Sequence, residues 1–316
     1  MIPETVIRQQ IPHTLGSTDF KLEEKYNGKV RDRYTKGDKL VLITTDRISA
    51  FDRILSTIPF KGQVLNQISA FWFDHTKDIV KNHVIAVPDP NVTIGKKLKI
   101  LPIECVIRGY LTGSAWRDYQ KGEPISGIVL PKGMKKDQKF ETPLFTPSTK
   151  EEAGHHDLPI SEGDIVKRGI MSAELLAKVK KATLAVFKRG QDIARKNGMI
   201  LVDTKYEFGL DEHGELTLAD ELHTPDSSRY WYADTYEERF AKGEDQRMLD
   251  KEFLRQWLIR EKKFMGDGEI PHIPDEIRIA VAQKYIQAYE EITGNAFKAE
   301  VGNVAERIKK NLKGYL

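Results

Sequence analysis

The sequence is poor in the features that mark secretion, membrane insertion and polyanion binding. One cysteine, Cys105, stands alone among 316 residues, so no intrachain disulfide can form and a reducing compartment is the simplest setting. It sits in the apolar run from Leu101 to Ile107, where a thiol packs rather than reacts. No apolar stretch approaches the roughly 18 residues of a membrane span, and Pro3, Glu4, Pro12 and His13 occupy the region where a signal peptide needs an apolar block. We therefore expect a cytoplasmic chain with no membrane partner. Charge of one sign is also scarce: 50 Lys and Arg against 47 Asp and Glu leave +3, too little to imply a nucleic-acid partner without a localised basic face. The Walker pattern, the spaced glycines of a dinucleotide fold and an HRD-type catalytic loop are all missing. A hydrophobic content of 40% suffices for a packed core, in one large domain or two modest ones.

Along the chain, residues 26 to 106 read as short strands with one helix between them. Leu40 to Thr45 is β-rich and bounded by Gly37 and Asp46, while Val64, Ile68, Phe71 and Trp72 recur at the spacing of a buried helix face. Residues 113 to 165 are rich in Gly, Pro, Ser and Lys with little periodicity, as in a functional or mobile loop. Ser172 then caps a long helix with Leu175, Val179, Ala182, Val186 and Ile193 as its stripe, stopped at Asn197-Gly198. The run from Met199 to Asp220, broken by a turn at Asp211 to Gly214, reads as a β-hairpin. Another helix begins at Pro274 and stops at Gly294.

The hairpin carries the strongest chemical signal. A period of two puts Asp203, Lys205 and Glu207 on one face within about 14 Å of strand, opposite Thr204, Tyr206 and Phe208. Such a row is either a solvated face of cross-strand ion pairs or a site in which Glu207 and Asp220 hold a hard cation while Lys205 neutralises substrate charge. Asp226, Ser227, Ser228 and Arg229 make either a capped surface turn or a phosphate- and carboxylate-binding fork. Gly28-Lys29-Val30-Arg31, continued by Arg33, suits a basic hairpin or a flap over phosphates. Arg108 ends a buried strand and needs an acid or an anionic ligand, with Ser114 in the turn that follows. His155, His156 and Asp157 have metal-ligating side chains, but adjacent histidines point in different directions.

Six segments in order resemble the phosphoribosylaminoimidazole-succinocarboxamide (SAICAR) synthase family: GKVRDRY at 28 to 34, TTDRISAFD at 44 to 52, ECVIRGYLTGSAW at 104 to 116, FTPSTK at 145 to 150, DTKYEFG at 203 to 209 and DELHTPDSSRYW at 220 to 231. The linker at 117 to 145 and the extended C-terminal region are similar to the longer form of the family, which includes fungal enzymes. The resemblance implies an α+β fold, with a small β-rich, kinase-like nucleotide lobe over residues 1 to 106 and a larger α+β lobe over 107 to 316. It implies ATP, carboxyaminoimidazole ribonucleotide and L-aspartate as small-molecule substrates, with Mg²⁺ as cofactor, and fixes no oligomeric state. In that reading Gly28, Lys29, Val30, Arg31, Lys61, Glu104 and Asp220 bind ATP, Glu104 at the adenine edge. Glu207 and Asp220 hold Mg²⁺ and, with Lys205, form the catalytic set. Arg108, Ser114, Lys150, Lys205, Asp226, Ser228 and Arg229 meet the ribonucleotide, and Lys150 with the 155 to 157 turn closes over it or over the incoming aspartate. Two rivals share parts of this pattern: a kinase-like phosphotransferase, which would need a catalytic loop this chain lacks, and an anion- or RNA-binding module using the 28 to 33 and 132 to 139 clusters. Lys132, Lys135, Lys136 and Lys139 read more simply as a solvated loop.

Overall fold

The computed structural model describes residues 2–150, 157–249 and 252–315. A first antiparallel sheet has the order Glu24–Asn27, Arg31–Lys36, Lys39–Thr44, Val92–Lys96, Val84–Asp89. Its inner face buries Tyr34, Val41, Ile43, Val92 and Ile94 against Val304 and Ile308 of the terminal helix Val304–Asn311 and Leu312 just after it. Arg31, Arg33 and Thr35 alternate with the buried Asp32 and Tyr34, as the pleat requires, although Thr35 is buried as well.

A second sheet is built around the strand Met199–Leu210, which runs antiparallel to Ile103–Tyr110, Leu216–Ala219 and Ser228–Tyr232. Lys81–Asn82 and Lys99–Ile100 join this sheet from the earlier part of the chain. The helix Ala173–Lys196 starts where the sequence indicates, with the Ser172 side chain accepting from the Leu175 amide, and packs on this strand. Tyr206 and Phe208 are fully buried beneath it, while Lys205 faces out. The helices Lys61–Thr76 and Asp275–Thr293 pack on each other, and Val64, Ile68 and Trp72 are sealed in the same core. Burial of each such side chain contributes about 2 kcal/mol.

All five strands of the first sheet precede residue 106, which itself falls inside the strand Ile103–Tyr110, and the terminal helix packs back on that first sheet. Residues 113 to 165 are more regular than expected. They hold the helix Gly113–Lys121, the strands Lys139–Phe145 and Ser148–Thr149 and the helix Glu162–Lys167. These elements are short: Leu111, Ala115, Ile125 and Phe140 form a small core of their own, while Phe145, Ile160 and Ile165 join the main core, a division too dispersed in sequence to show as a period.

Gly62 ties the two layers together. Its amide donates to the buried Asp46 carboxylate, whose pKa burial pushes up to about 6, with the Leu15 and Gly62 amides acting against that shift. A Cβ at Gly62 would lie 2.3 Å from the Thr44 carbonyl oxygen and 2.4 Å from Asn91 Nδ2. Gly62→Ala should therefore cost about 3 kcal/mol in urea unfolding, since overpacking here meets the Thr44 backbone and the buried Asn91 side chain that is hydrogen-bonded to it. A loss below about 0.5 kcal/mol would show that this contact relaxes freely.

Candidate active site

The register of the second sheet assembles the site. Arg108 pairs across the ladder with Asp203, and Asp203 pairs with Arg229, so the three charged side chains form a row over three strands. Arg229 Nη2 lies 3.5 Å and Arg108 Nη1 3.9 Å from Asp203 Oδ2, an oxygen that is buried without a hydrogen-bond partner. Burial raises the Asp203 carboxyl despite the opposing pull of Arg229 and Arg108. Arg108 Nε also donates to Thr146 Oγ1 at 3.0 Å. Gly113, at φ +60°, opens the helix Gly113–Lys121 against Arg229, and a Cβ there would stand 2.3 Å from Nη1. Only glycine satisfies both the backbone and this close approach. Ser114 falls in the first helical turn beside it, and the Ser228 hydroxyl donates to Thr204 Oγ1 at 2.7 Å. This end of the cleft combines a guanidinium pair with a helix N-terminus, a combination suited to phosphate or carboxylate.

The other end is a chain of alternating charges. Lys205 Nζ donates to both oxygens of Glu104, at 2.8 and 3.0 Å. Lys150 pairs with Glu207. Arg31 reaches Asp220 at 3.1 Å and Glu221 at 3.4 Å, bridging from the first sheet to the second. Burial, then Asp220, raises the Glu207 carboxyl, which Lys150 partly offsets. Burial also works to raise Asp220, but Arg31, followed by Lys150, His83 and Lys205, outweighs it and holds that carboxyl below its usual range. Arg31 and Lys205 are held above their ordinary values, their acidic partners outweighing the cost of burial.

Glu207 stands opposite Ala219 in the ladder, which brings it beside Asp220. Among the described residues no group of three or more His, Cys, Asp and Glu could hold a metal ion. Two hard carboxylates therefore suit a cation that completes its shell with phosphate oxygens and water, as Mg²⁺ does.

Several expected site residues are engaged with other protein groups. Lys61 is fully buried, with Nζ 2.9 Å from Asp226 Oδ2, and the Tyr285 hydroxyl donates to Asp226 Oδ1 at 2.7 Å. Lys61 and Asp226 thus brace one another inside the protein. Glu104 is buried against Lys205. Lys29 is exposed at the flap tip and pairs with Asp52 at 2.5 Å. His155 and His156 lie outside the described residues, and Asp157 is exposed.

Period two puts Asp203 on the charged face but assigns it no role, and Glu221 and His83 carry no local signal in the sequence. An acid flanked by Arg108 and Arg229 could have been found only from strand register. His83 is buried behind Asp220, and His223 accepts or donates in a hydrogen bond of 2.5 Å with the Tyr206 hydroxyl. Burial lowers their pKa values to about 4 and about 3 respectively. Both imidazoles should stay neutral at pH 5.5 by ¹⁵N shifts. Because their folded values lie below that of unfolded His, near 6.5, the stability they contribute is present above about pH 6.5 and lost as pH falls toward 4. A ring that titrates near 6.5 in the native protein would refute this.

The SAICAR synthetase family model matches residues 24–269. The phosphoribosylaminoimidazole-succinocarboxamide synthase of Legionella pneumophila (strain Paris) is 49% identical over 313 residues, covering 97% of this chain and 100% of that protein. Among solved structures, the Saccharomyces cerevisiae SAICAR synthase complexed with SAICAR has a TM-score of 0.80 at 34% identity, covering 90% of this chain and 100% of that one. A SAICAR synthetase in complex with ADP has a TM-score of 0.66 at 28% identity, covering 87% of this chain and 100% of that one. Matches this complete in sequence and in fold establish that the chain belongs to the SAICAR synthetase family.

Proposed function

We propose that the protein joins L-aspartate to 5-amino-1-(5-phosphoribosyl)imidazole-4-carboxylate at the expense of ATP, giving SAICAR, ADP and phosphate in purine synthesis. The observation that carries this reading is the juxtaposition of two anion-handling regions on one strand: the Arg108–Asp203–Arg229 row and the Glu207–Asp220 pair are about 14 Å apart or less along Met199–Leu210 and its neighbours. Relatives supply the chemistry, one solved with SAICAR and one with ADP. The buried free Cys105 and the absence, among the described residues, of a helix able to cross a membrane agree with a cytoplasmic setting.

In this reading Arg229, Arg108, Ser114 and Ser228 take the ribonucleotide's phosphate and carboxylate, with Asp203 accepting from its amino group. The flap from Gly28 to Arg31 covers the ATP phosphates. Glu207 and Asp220 would hold Mg²⁺, which would supply charge neutralisation at the phosphates. Lys205 and Lys150 offset the repulsion between the substrate carboxylate and the γ-phosphoryl group as they approach. A carboxylate oxygen attacks γ-phosphorus and ADP leaves, forming an acyl phosphate. The aspartate amine attacks its carbonyl carbon, the C–O bond to phosphate breaks, and an amide forms. Arg31 keeps Asp220 ionised and engaged, so we assign the amine proton to the departing phosphate. Lys61 and Asp226 are proposed as braces rather than ligands.

Mixing the protein with ATP, Mg²⁺, the ribonucleotide and aspartate, then omitting each in turn, tests this directly. ADP release should require all four, and release independent of aspartate would overturn the ligase reading. Asp220→Asn should lower kcat by at least about 100-fold. Arg229→Ala should raise the KM for the ribonucleotide by about 100-fold while altering the ATP KM little. Near-normal kcat in the first variant, or an effect confined to ATP in the second, would refute those roles.

A further inference from the structure

The buried Arg47 lies beneath the flap and makes no contact with the proposed catalytic groups. Its guanidinium donates through Nε to the Lys29 carbonyl at 3.1 Å, through Nη1 to the Gly16 carbonyl at 2.7 Å, and through Nη2 to the Gly28 carbonyl and Asp32 Oδ1, both at 2.8 Å. Asp32 is itself sealed, with Oδ2 accepting from the Thr18 amide and hydroxyl. The next carbonyl, Val30, accepts from the Thr45 amide and hydroxyl, and that of Arg31 accepts from the Gly28 amide. Four successive flap carbonyls are thus held by the protein's own donors.

A trans peptide places its C=O and N–H on opposite sides, and this chain has no cis peptide among the described residues. Drawing the Gly28 and Lys29 carbonyls down onto Arg47 therefore turns the Lys29 and Val30 N–H groups the other way. Neither amide has an acceptor among the described residues. Meanwhile the flap's cationic side chains are engaged elsewhere, Lys29 with Asp52 and Arg31 with Asp220 and Glu221. Two consecutive N–H groups facing one way form an anion-binding concavity.

We propose that Arg47 is a positioning residue for phosphate recognition: by anchoring the Gly28 and Lys29 carbonyls it presents the Lys29 and Val30 amides to a phosphoryl oxygen of the nucleotide. This rests on the reading of the site as an ATP-binding one. Thr45 holds the following carbonyl, that of Val30, and so fixes the next peptide rather than the amide pair itself; a planar five-donor fork is required for the pair because lysine cannot reach separate carbonyls in fixed directions.

The test uses the full-length protein labelled with ¹⁵N. Adding Mg²⁺ and ADP should shift the Lys29 and Val30 amide resonances, whereas adenosine at saturation should leave them in place. Arg47→Lys, which retains a charge for Asp32, should raise the ATP KM and the ADP Kd about tenfold, the loss of roughly one well-made hydrogen bond to a charged group. Adenosine affinity and the KM values of the other two substrates should stay within about twofold, a split that a general loss of structure would not produce. The inference is overturned if the wild-type amides ignore ADP, or if Arg47→Lys binds ADP normally or loses adenosine equally. Should that variant not fold, the wild-type spectra decide alone: Lys29 and Val30 amides that ignore ADP overturn the inference. A wild-type protein that binds no ATP at all would instead refute the function proposed above.

Discussion

The matching of buried carboxylates to cations across strands is the constraint on which the site depends. Asp203, Glu104, Glu207, Asp220 and Glu221 converge on one cleft, where each loses hydration. An unpaired carboxylate there would take up a proton or push the strands apart. Arg108, Arg229, Lys205, Lys150 and Arg31 prevent this, each supplied by a different strand or loop. The arrangement holds only if the sheets keep their register, because a slip of one residue would turn Asp203, Lys205 and Glu207 into the core. Electrostatics in the cleft and packing beneath it are therefore two faces of one strand.

Packing also maintains backbone that the site needs but that is locally unfavourable. Asp220 and His223 have φ of +63° and +49°, a region that costs a non-glycine residue about 1 kcal/mol or more. The Tyr206–His223 hydrogen bond, the Tyr230 hydroxyl donating to the His223 carbonyl, and Ser69 accepting from the Leu222 amide hold this turn from below. Trp72 closes the cluster with its ring edge-on to His223. The turn carries Asp220 toward Arg31 at one end and leads through Asp226, braced by Lys61 and Tyr285, to Arg229 at the other. The buried Lys61 thereby acts on the segment that carries Arg229.

Much of the architecture is legible in local patterns. The helix from Ser172, the hairpin from Met199 and the helix after Pro274 each have a long period and a clear cap or stop, so their identity needs no distant information. The segment from 113 to 165 is different, since its short elements are ordered by residues far apart in sequence. The same limit applies within the site. Asp203, Lys205 and Glu207 could be placed on one face by counting alone. That Lys61 turns inward could not, because a helical lysine near an N-terminus is normally exposed.

By itself the sequence determined the family, through six ordered segments, and the alternation that puts three charges on one strand face. Tertiary structure alone decided which charge meets which. Pairing Arg108 with Asp203, Arg31 with Asp220 and Lys61 with Asp226 spans 95, 189 and 165 positions. No local rule connects residues at such separations. Their meeting follows from sheet register and core packing, and the energy of an ion pair depends on the distance and burial that these two set.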